Sequence, residues 1–297
     1  MAESLLFFLP YYLVSGLLIG IVYGLATIGL SLIFGVLRIV NVGHGSFIMI
    51  GMYVTYWLFV LVALNPFISL IPALIVGLLL GIIMFYGILR FLVKAPELST
   101  LVATFSIGIM LEELAKIMWG TEYRGFIYSL GSLTLQGIPL PLIRVWPGIV
   151  SLLLVVALYL ILYKTRFGTA IRAVMQDPEG ASICGINVTF VYASTVALGI
   201  ALTTISGSLL AIYFQQGINP YIGHLYTLRA FVIAVLGGLG SPIGALIGGI
   251  IFGIIEQSSV PLFSILGAPN PFGLSVFLAF SLILVILLFR PKGLFGR

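Results

Sequence analysis

The sequence predicts an all-α, polytopic transmembrane protein with about eight to nine spans, among them a helix pair broken by glycine. Three observations carry that prediction. First, 61% of the residues are hydrophobic and only 7% charged, with a mean hydropathy of +1.28, whereas a soluble domain carries roughly 25% charged residues. Second, the apolar runs approach the ~20 residues that a helix needs to cross a hydrocarbon core about 30 Å thick. They do not alternate in the ten-residue strands of an outer-membrane barrel. Third, in Leu228–Gln257 the apolar runs Ala230–Leu236 and Ile243–Ile255 are separated by Gly237-Gly238-Leu239-Gly240-Ser241-Pro242.

Hydropathy places spans near 8–37, 46–64, 68–92, 98–119, 145–163, 188–213, the broken pair 228–239 and 242–257, and 272–289. The first span opens without a basic n-region, so it reads as retained and not as a signal peptide. It carries Gly16, Gly20 and Gly24 at four-residue spacing, as Gly77 and Gly81 do in the third span and Gly244, Gly248, Gly249 and Gly253 in the broken pair. Such stripes let helices approach closely in lipid, so they predict packing and not sites. The whole of 1–297 reads as one transmembrane domain, since no polar stretch is long enough for a second. The single Cys184 excludes an internal disulfide.

Nine crossings put the termini on opposite sides. With the C-terminus inside, the inner face holds Arg38, Arg90, Lys94, Lys164, Arg166, Arg172, Arg290, Lys292 and Arg297, against Lys116, Arg124, Arg144 and Arg229 outside. The positive-inside rule therefore predicts a cytoplasmic C-terminus and an outside N-terminus. A net charge of +5 scattered over loops gives no nucleic-acid signal.

The break at 237–242 admits two readings. One is a discontinuous helix at membrane depth, shielded by protein or water, which marks a translocation pathway. The other is two short helices with a polar turn at the cytoplasmic surface. A second interruption follows the first span, at Arg38-Ile-Val-Asn-Val-Gly-His-Gly-Ser46. Its Gly43-His44-Gly45-Ser46 echoes Gly238-Leu239-Gly240-Ser241, the pattern an internal duplication leaves. Segment 119–145, with its turn residues and β-branched and aromatic residues, reads as an outer loop with a small hairpin.

The longest inner connection is 164–187. Asp177-Pro178-Glu179 is a strong helix start, with an N-cap carboxylate, proline at the first position and an acid in the first turn. Gly185 supplies the left-handed cap. The predicted helix, Pro178–Cys184, is too short to persist unless it packs on something, either a cytosolic partner or the protein's own inner face.

Glu179-Gly-Ala-Ser-Ile-Cys-Gly185 resembles the Glu-Ala-Ala-x-x-x-Gly coupling loop of ATP-binding-cassette (ABC) importer permeases. The chain is similar throughout to permeases of the branched-chain amino acid ABC transporter family. The matching signatures are Tyr23-Gly-Leu-Ala-Thr-Ile-Gly29, Asn41-Val-Gly-His-Gly45, Ile218-Asn-Pro-Tyr-Ile-Gly223, Ala234-Val-Leu-Gly-Gly-Leu-Gly-Ser241 and Arg290-Pro-Lys-Gly-Leu-Phe-Gly296. The resemblance implies half of an import path, paired with a second homologous permease and powered by two cytosolic ATPases that bind ATP and Mg. An extracytoplasmic binding protein delivers substrate, and the setting is a bacterial-type inner membrane. It assigns ATPase docking to Asp177, Pro178, Glu179, Gly180, Ala181, Ser182 and Gly185. Gly180 stands where the family often has alanine, which loosens the helix by roughly 0.5–1 kcal/mol.

The chain itself contains no G-x-x-x-x-G-K-[ST] loop, and no catalytic or metal-binding set is read from it. Candidate pathway residues are Asn41, His44 and Ser46 at the first break and Gly238, Gly240 and Ser241 at the second, with Asn219, Tyr221 and His224 nearer the mouth. For His44 a backbone hydrogen bond at the break is the favoured role. Glu112 and Glu113 late in the fourth span suggest a solvated pair with Lys116, four residues after Glu112. Glu256 is placed at the outer end of the broken pair, holding a neighbouring span or the partner permease. Import of urea or a short amide by the same machine is the second reading, and an autonomous channel or ion-coupled carrier the third.

Overall fold

The computed structural model describes residues 2–135 and 137–296. Its helices are α1 (Ala2–Leu37), α2 (His44–Val62), α3 (Leu70–Met84), a π-turn (Phe85–Leu89) leading into α4 (Arg90–Leu92), and α5 (Glu97–Trp119). There follow α6 (Leu142–Lys164), α7 (Arg166–Gln176), α8 (Pro178–Ile183), α9 (Val188–Phe214), α10 (Ile222–Gly237), α11 (Pro242–Ile265) and α12 (Pro271–Phe289). The only sheet among the described residues is an antiparallel hairpin, β1 (Ser132–Leu135) with β2 (Ile138–Pro141), in the loop where the sequence places one. The protein is thus an all-α polytopic bundle. Among the described residues seven helices, with α3, the π-turn and α4 taken as one, are long and apolar enough to cross a membrane. The charged α5 and the 16-residue α10 are not among them.

α1 and α9 form the centre. α9 is buried along most of its length although it carries Thr203, Thr204 and Ser206. Their hydroxyls donate to carbonyls one turn back, on Gly199, Ile200 and Leu202, at 2.7–2.9 Å, which lets hydroxyl groups sit inside an apolar bundle. The glycine stripes interlock as close helix packing. Gly16 of α1 meets Gly253 of α11, and Gly20 meets Gly249, so closely that an added Cβ would stand 2.7–2.8 Å from the opposing backbone. Gly77 and Gly81 of α3 seat in the same way on Ala201 and Ala197 of α9.

The long helices divide the molecule into two ends. One carries the β-hairpin; the other carries α7, α8 and the C-terminal segment. α7 is amphipathic and buries Ile171 and Val174, while Arg172 donates to the carbonyl of Leu162 at the end of α6.

Two boundaries near the buried charges differ from the sequence expectation. α10 begins at Ile222 and not near 228, and α11 runs on to Ile265 and not to 257. Ser258 and the buried Ser259 are carried in this extension by donating to the Ile254 and Ile255 carbonyls one turn back. Arg229 and Glu256, expected at span ends, consequently lie inside the bundle. Arg297, counted among the inner charges, lies outside the described residues.

Candidate functional site

The two interruptions of the helical pattern fold differently. After Leu37 the chain turns through Arg38, whose φ of 58° is left-handed, and returns into the bundle without helix as far as Gly43. Its first helical residue, His44, places Nε2 2.9 Å from the carbonyl of Ala26, with Thr203 Oγ1 at 3.4 Å. Ala26 lies eleven residues before the end of α1, about 16 Å deep at 1.5 Å per residue. This break therefore sits well inside the bundle, where unpaired backbone groups are costly. Thr104 of α5 answers that need. Its Oγ1 accepts from Val42 N at 3.1 Å and donates to Val40 O at 3.0 Å. Gly43 and Gly108 let the break and α5 come together; a Cβ on Gly108 would stand 2.9 Å from Gly43 Cα.

Around the start of α2 a polar group assembles from three helices. Gly45 N donates to Thr227 Oγ1 of α10 at 2.9 Å. Ser46 Oγ lies 3.4 Å from Glu112 Oε1 of α5. The other oxygen of Glu112 pairs with His224 Nε2 of α10 at 2.8 Å. Asn41 is fully buried and neither of its amide atoms has a partner; His44 Nδ1 is likewise unpartnered.

The expected pair of Glu112 with Lys116 does not form. Lys116 instead takes Glu113 at 2.6 Å, one turn back, and its ammonium lies 4.5 Å from the ring centre of Tyr221. The helix turns Glu113 outward and Glu112 inward, so only Glu113 reaches Lys116 on the surface. Tyr221 is half-exposed beside this pair, whereas the amide of Asn219 is spent on its own loop, bonding Gly217 O and Tyr221 N.

The second interruption lies at the α8 end. Gly238 and Gly240 have φ of 94° and 84°, Gly240 packs on Gly35 near the end of α1, and Ser241 Oγ caps α11 by accepting from Gly244 N at 3.1 Å. The C-terminal segment closes over the turn, with Leu294 N and Phe295 N donating to Leu236 O and Gly237 O. Gly238, Gly240 and Ser241 are therefore separated from Asn41, His44 and Ser46. They shape and cap a turn at one end of the bundle, and not a break at its depth.

Sequence reasoning missed one more constellation. Arg229 Nη2 donates to Glu256 Oε1 at 2.8 Å, and Tyr23 OH donates to Glu256 Oε2 at 3.0 Å. The guanidinium also stands 5.6 and 5.3 Å from the ring centres of Tyr23 and Tyr226. The available signal was the Pro220-Tyr221 turn: a helix started there carries Arg229 about two turns inward from the helix end.

α8 stands apart from these groups. Asp177 Oδ1 accepts from Glu179 N at 3.0 Å and Pro178 fills the first position, as the sequence predicts. Gly185 closes the helix with φ of 82°, and Ile186 N donates to Ala181 O at 3.0 Å. Ala181 is buried against the bundle, while Glu179, Ser182 and Cys184 are exposed and Ile183 is 88% exposed.

A polytopic bundle with a polar break at depth, and no soluble domain among the described residues, has the architecture of a membrane transport subunit. The chain belongs to the branched-chain amino acid transport system permease component family, whose model matches residues 12–289. It is 30% identical to the high-affinity branched-chain amino acid transport system permease protein LivH of Salmonella typhimurium, covering 100% of this chain and 98% of that one. It is 28% identical to the corresponding protein BraD of Pseudomonas aeruginosa, over 96% and 95% of the two chains. In fold it is similar to PsaBC of Streptococcus pneumoniae, solved in complex with a Fab, with a TM-score of 0.52 at 17% identity and coverage of 98% and 97%.

Proposed function

We propose that this chain is the transmembrane permease subunit of an ABC importer and forms half of the path for branched-chain or other hydrophobic amino acids. The observation that carries the coupling is α8. It is a six-residue helix, capped at both ends and anchored by Ala181, that projects Glu179 and Ile183 away from the bundle. Ala181 gives so short a helix the packing it needs on the bundle, which leaves its outer face free to dock, and an apolar side chain as exposed as Ile183 fits a partner's cleft. The partners are a second homologous permease, two cytosolic ATP-binding subunits that hold ATP and Mg, and an extracytoplasmic substrate-binding protein. The whole chain is one permease domain, with 164–187 as its coupling segment.

The setting is a bacterial-type inner membrane with the C-terminus cytoplasmic and the N-terminus outside. With Arg229 inside the bundle, the hairpin end keeps Lys116, Arg124 and Arg144, while Arg38, Arg90, Lys94, Lys164, Arg166, Arg172, Arg290 and Lys292 gather at or near the α8 end. That asymmetry supports a cytoplasmic α8. The pathway half is read at the first break, from Asn41, His44 and Ser46, where buried amide and imidazole atoms lack partners.

Reconstitution with the partner subunits tests the reading. ATP-driven uptake of leucine, isoleucine or valine is expected, and Glu179→Arg should abolish it while the protein stays in the membrane. Unchanged ATP-driven uptake by Glu179→Arg refutes the docking role. Uptake of urea in place of the amino acids moves the cargo to the second reading, and flux through the purified chain alone points to a channel.

A further inference from the structure

Two carboxylates are buried in the bundle among the described residues, Glu112 and Glu256. Glu256 is matched by the permanent charge of Arg229 and by the Tyr23 hydroxyl. Glu112 is not matched in that way. The nearby ammonium, Lys116, is held by Glu113 and lies over Tyr221, which leaves Glu112 with an imidazole and a long contact to a serine hydroxyl. The geometry around it is built for a carboxylate. Gly223 makes room, since a Cβ there would stand 2.9 Å from Glu112 Oε1, and the Gly43–Gly108 contact brings α5 against the start of α2. The imidazole covering the carboxylate is the movable part: the His224 side chain is 56% exposed and that of Glu112 4%. His224 turning aside uncovers Oε2 without disturbing the fold of α5 or α10.

We infer that Glu112 is the binding group for the ammonium of an aliphatic amino acid in transit, with His224 as the partner that the ammonium displaces. The inference rests on the amino-acid permease reading and names a contact within that path. An ammonium entering a low-dielectric layer needs an opposite charge with hydrogen-bonding geometry. Glu112 supplies one beside the deep break. Its contact there, Ser46, opens the same helix as His44, whose Nδ1 is unpartnered. Glu113, exposed and ion-paired, does not.

The test uses the full complex with its partner permease, ATPases and binding protein. Glu112→Gln should lower kcat/KM for leucine uptake at least about tenfold, because a charge-assisted bond is lost, while assembly and ATP hydrolysis persist; Glu112→Asp should recover much of the uptake. A second arm keeps Glu112 intact. In a Cys184→Ser background, His224→Cys is labelled with a maleimide in the assembled complex. Leucine and isopentylamine should slow that labelling, and 4-methylpentanoate, which lacks the ammonium, should not. Uptake by Glu112→Gln within about twofold of the parent, or equal protection by 4-methylpentanoate and isopentylamine, overturns the inference. The labelling arm decides even where Glu112→Gln does not assemble. A parent complex that takes up no amino acid refutes the functional reading itself, a result distinct from either.

Discussion

The breaks at Arg38–Gly43 and Gly237–Ser241 share a Gly-x-Gly-Ser pattern and have opposite fates. The first returns into the bundle and is held by Thr104, Thr227 and the carbonyl of Ala26. The second turns at the α8 end and is closed by the C-terminal segment. The difference teaches that glycine marks where a helix stops, while the depth of the stop is set by what its neighbours offer. A turn at an end needs only caps. A break inside the bundle needs polar partners on separate helices, and it leaves polar atoms of Asn41 and His44 over. Those spare groups make the first break the better candidate for contact with a polar cargo.

The comparison can be broken by substitution, with thermal unfolding in detergent as the common readout. The largest effect is expected in the interior, at Arg229→Met. It leaves Glu256 buried without its partner and should cost about 3–5 kcal/mol, while the double variant Arg229→Met/Glu256→Leu should regain most of that. An unchanged single variant contradicts the buried pair. Thr104→Val keeps the shape but removes the acceptor for Val42 N, at a cost of about 1–3 kcal/mol. At the other break Gly240→Ala meets the left-handed backbone penalty, about 1–2 kcal/mol, together with a tight approach of its Cβ to Gly35 Cα at 3.3 Å. Ser241→Ala, which removes one cap, should cost about 1 kcal/mol and leave uptake intact. Should Ser241→Ala abolish uptake with little loss of stability, the second break belongs to the path after all.

Much of this fold was legible because lipid imposes simple rules. The apolar lengths gave the helices, four-residue glycine spacing marked faces of close helix packing, and Asp177-Pro178-Glu179 gave α8 with its cap. What stayed hidden is tertiary. Nothing local distinguishes Thr104 from any other threonine in a helix, yet its position beside Val40 and Val42 lets the deep break exist. Glu112 and Glu113 are adjacent in sequence, and only the packing of α5 decides which of them faces inward. The echo between the two breaks could not tell them apart for the same reason, since a shared motif carries no information about depth. Arg229 and Glu256 were misplaced by a few residues at helix ends, where hydropathy blurs the boundary.

The central claim is that α8 is the surface through which a separate ATPase moves this subunit. Cys184, the single cysteine of the chain, is exposed at the end of α8, so it reports on that contact directly. A short maleimide–diazirine cross-linker, attached to Cys184 through its maleimide and photolysed in the assembled complex, should join Cys184 to the ATP-binding subunit, and the ATPase should shield Cys184 from a soluble maleimide. Labelling at the same rate with and without the ATPase, and no cross-linked product, would contradict the account.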